Sequence, residues 1–167
     1  MKKKSGMFKL EPDKFSIHTF EISKKLTNQD YKRMRDRLYC QRPKGEIYRD
    51  RAWQGEGERH RCRWFQRSGL RISLEKDVHG HISTCYLRVA VNPRKLINPN
   101  SSYLGILPPT EESVQDVSKM LFVVLKGSGL PCVLDAYQLS RVDLCVNIRC
   151  DSTALFKELL RVTRKLP

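Results

Sequence analysis

Residues Gln138–Ile148, QLSRVDLCVNI, alternate strictly: Val142, Leu144, Val146 and Ile148 are apolar, and Arg141, Asp143, Cys145 and Asn147 stand between them. A period of two marks a strand with one buried and one open face. The stretch therefore demands a sheet with a core on one side and a row of polar groups on the other. Asp is disfavoured inside strands, so Asp143 at the centre needs a physical reason. Two stand open. One is an ion pair with Arg141 or Arg149, or plain exposure; the other is a carboxylate held on a rigid sheet to bind a divalent metal.

The rest of the chain supplies that sheet. Residues 1–13 are basic and then turn-like, an arm ahead of a single domain spanning 14–167. Phe15–Ile22 reads as a first strand of undecided phase. Thr27 caps a helix, with Asp30 in the capping-box position and Tyr31, Met34 and Leu38 as its apolar stripe. Arg42-Pro43-Lys44-Gly45 ends it. A meander follows: a strand within Glu46–Trp53, a turn at Gln54–Glu58, a strand at Arg59–Gln66, one from Leu70 to Lys76, and one from Ile82 to Asn92. Asp77–Gly80 makes a hairpin turn between the last two. Leu96–Pro109 is a long loop. Thr110 caps a second helix with Val114, Val117, Leu121 and Val124 inward and Met120 beside them, stopped by Gly127-Ser128-Gly129. After the organising strand, Asp151 or Ser152 caps a third helix over Thr153–Lys165, with Leu155, Phe156, Leu159 and Leu160 inward. The order β-α-β-β-β-β-α-β-α predicts an α+β domain, a mostly antiparallel sheet with helices packed on one face, ferredoxin-like in general plan.

Charge narrows the function. Among 167 residues, 32 Lys and Arg outnumber 18 Asp and Glu, a formal charge of +14. Such an excess favours polyanionic partners, because each phosphate neutralised releases condensed counterions. The six cysteines are scattered with no Cys-x-x-Cys pair, so they read as free thiols in a reducing, cytoplasmic setting and not as a zinc site. No apolar run is long enough for a signal peptide or a membrane span.

With the apolar sides of the strands turned to the helices, the opposite side collects Arg71, Glu75, Tyr86, Arg88, Arg141, Asp143 and Asn147, joined by either Arg61, Arg63 and Phe65 or Trp64, according to the phase of Arg59–Gln66. Arginines interleaved with aromatic rings on an open sheet suit single-stranded nucleic acid. Asp143, Asn147 and Glu75 offer oxygen ligands of the kind that suit Mg²⁺ or Mn²⁺. Asp143 and Asn147 lie about 13 Å apart along one strand, so a neighbouring strand has to complete such a site. His79-Gly80-His81 falls in a hairpin turn and reads as a turn without a metal.

Ser140–Ile148, SRVDLCVNI, resembles the Arg-(Ile/Val)-Asp-Leu-x-x-Asp strand of the replication initiation factor family, the rolling-circle initiators of plasmids and filamentous phages. VNPRKLI and PPTEESVQDV, upstream, are compatible with it in order and spacing. The resemblance implies a Rep-endonuclease-like fold, a metal-binding role for Asp143 with Arg141 beside it, and DNA as partner, single-stranded or as an origin hairpin. It further implies metal-dependent DNA nicking by a Tyr that follows this strand and helix. Asn147 stands where the family favours a second Asp, and no Tyr follows Tyr137. The chain thus reads as the N-terminal part of a longer initiator or as a non-nicking relative. The rival reading is a non-catalytic single-strand-binding module using the same basic face.

Overall fold

The computed structural model describes residues 16–41, 46–54, 56–63, 68–101, 107–108 and 110–145. Six strands run through them: β1 (Ser16–Leu26), β2 (Ile47–Arg49), β3 (Gly57–Cys62), β4 (Leu70–His79), β5 (Ile82–Val91) and β6 (Gln138–Cys145). Three α-helices, α1 (Asn28–Gln41), α2 (Pro93–Ile97) and α3 (Glu111–Gly127), and a 3₁₀ turn at Leu134–Ala136 complete them.

All pairings are antiparallel, in the order β2-β3-β4-β5-β1-β6. The four strands β4-β5-β1-β6, with α1 and α3 as the crossing helices, have the plan of a β-α-β-β-α-β unit. The β2–β3 hairpin extends that unit at one edge. The α+β class and the one-sided packing are as the sequence predicts.

The core is made by the alternating residues Leu70, Ile72 and Leu74 of β4 and Cys85, Leu87, Val89 and Val91 of β5. Leu87, Val89 and Val91 are fully buried, each burial being worth about 1.5–3 kcal/mol. Tyr31 and Leu38 of α1 and Val117, Leu121 and Leu125 of α3 close over them. Thr27 starts α1 as expected. Its Oγ1 accepts from the Asp30 N–H at 3.0 Å and donates to Asp30 Oδ2 at 2.7 Å. Thr110 starts α3 likewise, accepting from the Ser113 N–H at 3.2 Å. The two-residue turn Gly80-His81 joins β4 to β5 with φ of +59° at Gly80, the positive first loop angle of a II′ turn.

Several expectations need correction. β1 runs to Leu26, past the expected end at Ile22, because Lys24 and Leu26 still pair with Leu87 and Cys85 of β5. In the span 46–53 only Ile47–Arg49 is strand, since β2 is an edge that reaches just Cys62, Arg61 and His60. Gly57 and Glu58 belong to β3 and not to the turn, paired with Asp77 and Lys76. Pro93–Ile97 form helix α2, which overlaps the expected loop at Leu96 and Ile97 and is capped by Asn92, whose side chain accepts from the Lys95 N–H at 3.0 Å. Val114, expected in the core, is 52% exposed.

The largest departure concerns the organising strand. β6 lies at the sheet edge beside β1, with register shifts at Ile17/Thr19 and Glu21/Ile22. Val142 is 41% and Leu144 66% exposed, so among the described residues its apolar side is only partly covered. The helix expected over Thr153–Lys165, like Val146, Ile148, Arg149 and Arg42–Gly45, lies outside the described residues.

Candidate nucleic-acid interface

Strand register places the polar side chains in three rungs across the face opposite the helices. The first carries Arg59, Glu75 and Tyr86 on β3, β4 and β5. The second carries Arg61, Ser73, Arg88 and Ser23. The third carries Arg71, Ala90, Glu21 and Arg141, reaching β6. Rungs that share a face are two residues apart, about 6.6 Å along the strand. On this face lies an open groove of about 420 Å³, lined by Arg59, Arg61, Arg71, Arg88 and Arg141 beside Glu21 and Glu75.

Carboxylates organise these arginines. Glu75, only 3% exposed, forms the floor. Arg59 Nε lies 2.9 Å from its Oε1, and Arg88 Nε donates to its Oε2 at 2.6 Å. Arg88 Nη1 donates to Glu21 Oε1 at 3.1 Å. Arg61 Nε lies 2.7 Å from Asp50 Oδ2. At the β6 edge Arg141 Nε donates to Asp143 Oδ1 at 2.7 Å, while the Thr19 hydroxyl donates to Oδ2. The Thr19 hydroxyl, and then the Arg141 guanidinium, hold the Asp143 carboxyl below its ordinary value. Arg71 has no ion pair or hydrogen bond among the described residues.

Aromatic rings border the groove. The Arg88 guanidinium lies 5.6 Å from the centroid of Tyr86, and that of Arg59 lies 5.0 Å from Trp53. Arg63, just past β3, sits 4.6 Å over the ring of Tyr48. Tyr48 is paired with Arg61 and shares its face. Exposed aromatic rings beside guanidinium groups are the kind of surface on which unpaired bases can stack, at about 1–3 kcal/mol per base.

The sequence-predicted nucleic-acid residues therefore divide. Arg61, Arg71, Arg88 and Arg141 converge on the groove, Tyr86 stands next to Arg88, and Arg63 sits apart at the β2–β3 edge. Arg59, Glu21 and Asp50 were missed. Arg59 shares the alternation of Arg61 and was legible from it. Glu21 needed the phase of β1, which pairing with β5 fixes by turning Phe20 and Ile22 to the core.

The expected metal set does not assemble. Glu75 is on β4 and Asp143 on β6, with β5 and β1 between them. Three interstrand steps amount to about 14 Å before any offset along the strands, too far for one ion at 2.0–2.6 Å from each oxygen. Both carboxylates are also taken up by arginines. Asn147 lies outside the described residues. Among the described residues no three His, Cys, Asp or Glu side chains gather for a metal. The ion-pair reading of Asp143 holds instead, with Arg141 as the partner. Among the described residues no helix is long and apolar enough to cross a membrane.

No family model matches the chain, and comparison with curated proteins finds no match.

Proposed function

We propose that this chain is a DNA-binding domain that takes a single strand across the open face of its sheet, of the initiator kind that Ser140–Ile148 resembles. The observation that carries the reading is the groove itself. Five arginines from β3, β4, β5 and β6 face one concave surface bordered by Tyr86. Such a surface offers guanidinium donors to phosphates and ring faces to bases. The excess of 32 Lys and Arg over 18 Asp and Glu draws the polyanion in. The separation of Glu75 from Asp143 favours a binding role over a metal-assisted one for these residues.

Fluorescence anisotropy with a labelled single-stranded oligonucleotide tests the proposal. Binding should fall with salt, tolerate EDTA, and exceed that of a duplex of the same sequence. Arg71→Ala should weaken it about tenfold and lower the salt slope by about 0.7, one phosphate contact on a single strand. Lys119→Ala, on the exposed side of α3, should leave it unchanged. Undetectable binding at low salt, or equal loss in both variants, would overturn the reading.

A further inference from the structure

The carboxylates of the groove stand on one side of each guanidinium. Glu75 meets Arg59 and Arg88, Asp50 meets Arg61, and Asp143 meets Arg141, in every case at Nε. Nε is the inner edge of the guanidinium, next to the side-chain stem. A carboxylate there fixes the plane of the group and leaves the outer nitrogens facing away from it. Arg88 spends Nη1 on Glu21, at 3.1 Å, and Arg59 Nη1 lies 4.0 Å from Asp50. Among the described residues no hydrogen bond joins Nη2 of Arg88, or either Nη group of Arg61 or Arg141, to a carboxylate.

Two of these carboxylates are themselves built in. Glu75 is buried beneath its arginines and also accepts from the Ser73 hydroxyl at 3.3 Å. Asp143 is tied to the next strand through Thr19. Four of the groove's positive charges are thus answered by neighbouring carboxylates, yet the arginines are splayed across three rungs and not collapsed onto one another. A groove meant to bind anions through net charge alone has no use for acids in its floor. One that binds phosphates through oriented donors does, because a pre-set guanidinium loses less rotamer freedom on binding.

We infer that Glu75 and Asp143 are positioning residues, which hold Arg88 and Arg141 by Nε so that their outer nitrogens meet the phosphates of a bound single strand. The inference rests on the proposed function. It makes a prediction opposite in sign to simple electrostatics, because Glu75→Gln and Asp143→Ala each make the groove one unit more positive. Net charge predicts tighter binding for both variants. Positioning predicts weaker binding, by about three- to tenfold, with a salt slope lower by about 0.7 per arginine released.

The test is the anisotropy titration of an unstructured oligonucleotide against wild type, Arg71→Ala, Glu75→Gln and Asp143→Ala at several salt concentrations. Thermal melts of each protein establish that it is folded. Asp143 is at a sheet edge and its removal leaves no buried charge, so that variant carries the test if Glu75→Gln does not fold. Weaker binding with a reduced slope supports the inference. Binding by a folded Asp143→Ala as tight as wild type, or tighter, overturns it while Arg71→Ala still reports on the proposed function. Absence of binding by wild type overturns both.

Discussion

Arg88 donates from Nε to Glu75 at 2.6 Å across the β4–β5 ladder, and Glu75 is almost wholly out of water. A carboxylate so buried is tolerated only when paired and hydrogen-bonded. Arg88 is therefore part of the fold as well as of the groove, and its loss should be felt in both.

Arg88→Met should destabilise the domain by about 1–3 kcal/mol, the usual penalty for leaving a buried polar group short of a partner. Arg59 and Ser73 remain on Glu75, which keeps the loss below that of a fully orphaned charge. A urea titration reads it as a lowered midpoint at constant slope. An unmoved midpoint would mean that Glu75 is satisfied without Arg88.

Leu87→Ala should cost about 2–5 kcal/mol, since the side chain is fully buried at the centre of the sheet and leaves a cavity. Ile82, in the same strand but 70% exposed beside the hairpin turn, should change stability by no more than about 0.5 kcal/mol on the same substitution. The pair of denaturation curves checks the assigned faces of β5. Equal effects would put the strand in the wrong phase.

Acid should weaken the packing of α1 on β3. Glu58 accepts from the Tyr31 hydroxyl at 3.1 Å and lies 3.3 Å from His60 Nε2 and 3.4 Å from Arg35 Nη1. Partial burial pushes its carboxyl up, but the Tyr31 hydrogen bond and the nearby His60 and Arg35 outweigh that, and it lies below its ordinary value of 4.5. The folded state then binds fewer protons than the unfolded chain in that window, so stability rises with pH there. The contribution is complete above about pH 4.5 and is lost as pH falls through the lower folded value. Glu58→Gln should flatten the low-pH limb of a melting-temperature profile, and an unchanged limb would place the acid sensitivity elsewhere.

Local chemistry made much of this fold legible. The capping of α1 and α3 by Thr27 and Thr110, the Gly80 turn and the apolar faces of β4 and β5 all follow from residues within a few positions of one another. Edges did not. β2 is short and β6 is half-open because of what lies beside them, and no alternation of residues encodes the identity of a neighbouring strand. The same holds for the groove. Alternation put Arg71, Tyr86, Arg88 and Arg141 on one side of their strands, but Arg59 and Glu21 joined them only through register, and Asp50 through its ion pair with Arg61.

What the sequence determined by itself was the class: a basic α+β domain with a polar sheet face rich in arginine, because periodicity and charge are carried by the chain alone. What tertiary structure decided was the meaning of its acids. Asp143 and Glu75 share a face, yet two strands stand between theirs, and each spends its charge on arginines already within reach. Distance between strands, which no spacing along the chain expresses, keeps Glu75 and Asp143 from sharing one ion and leaves each beside an arginine.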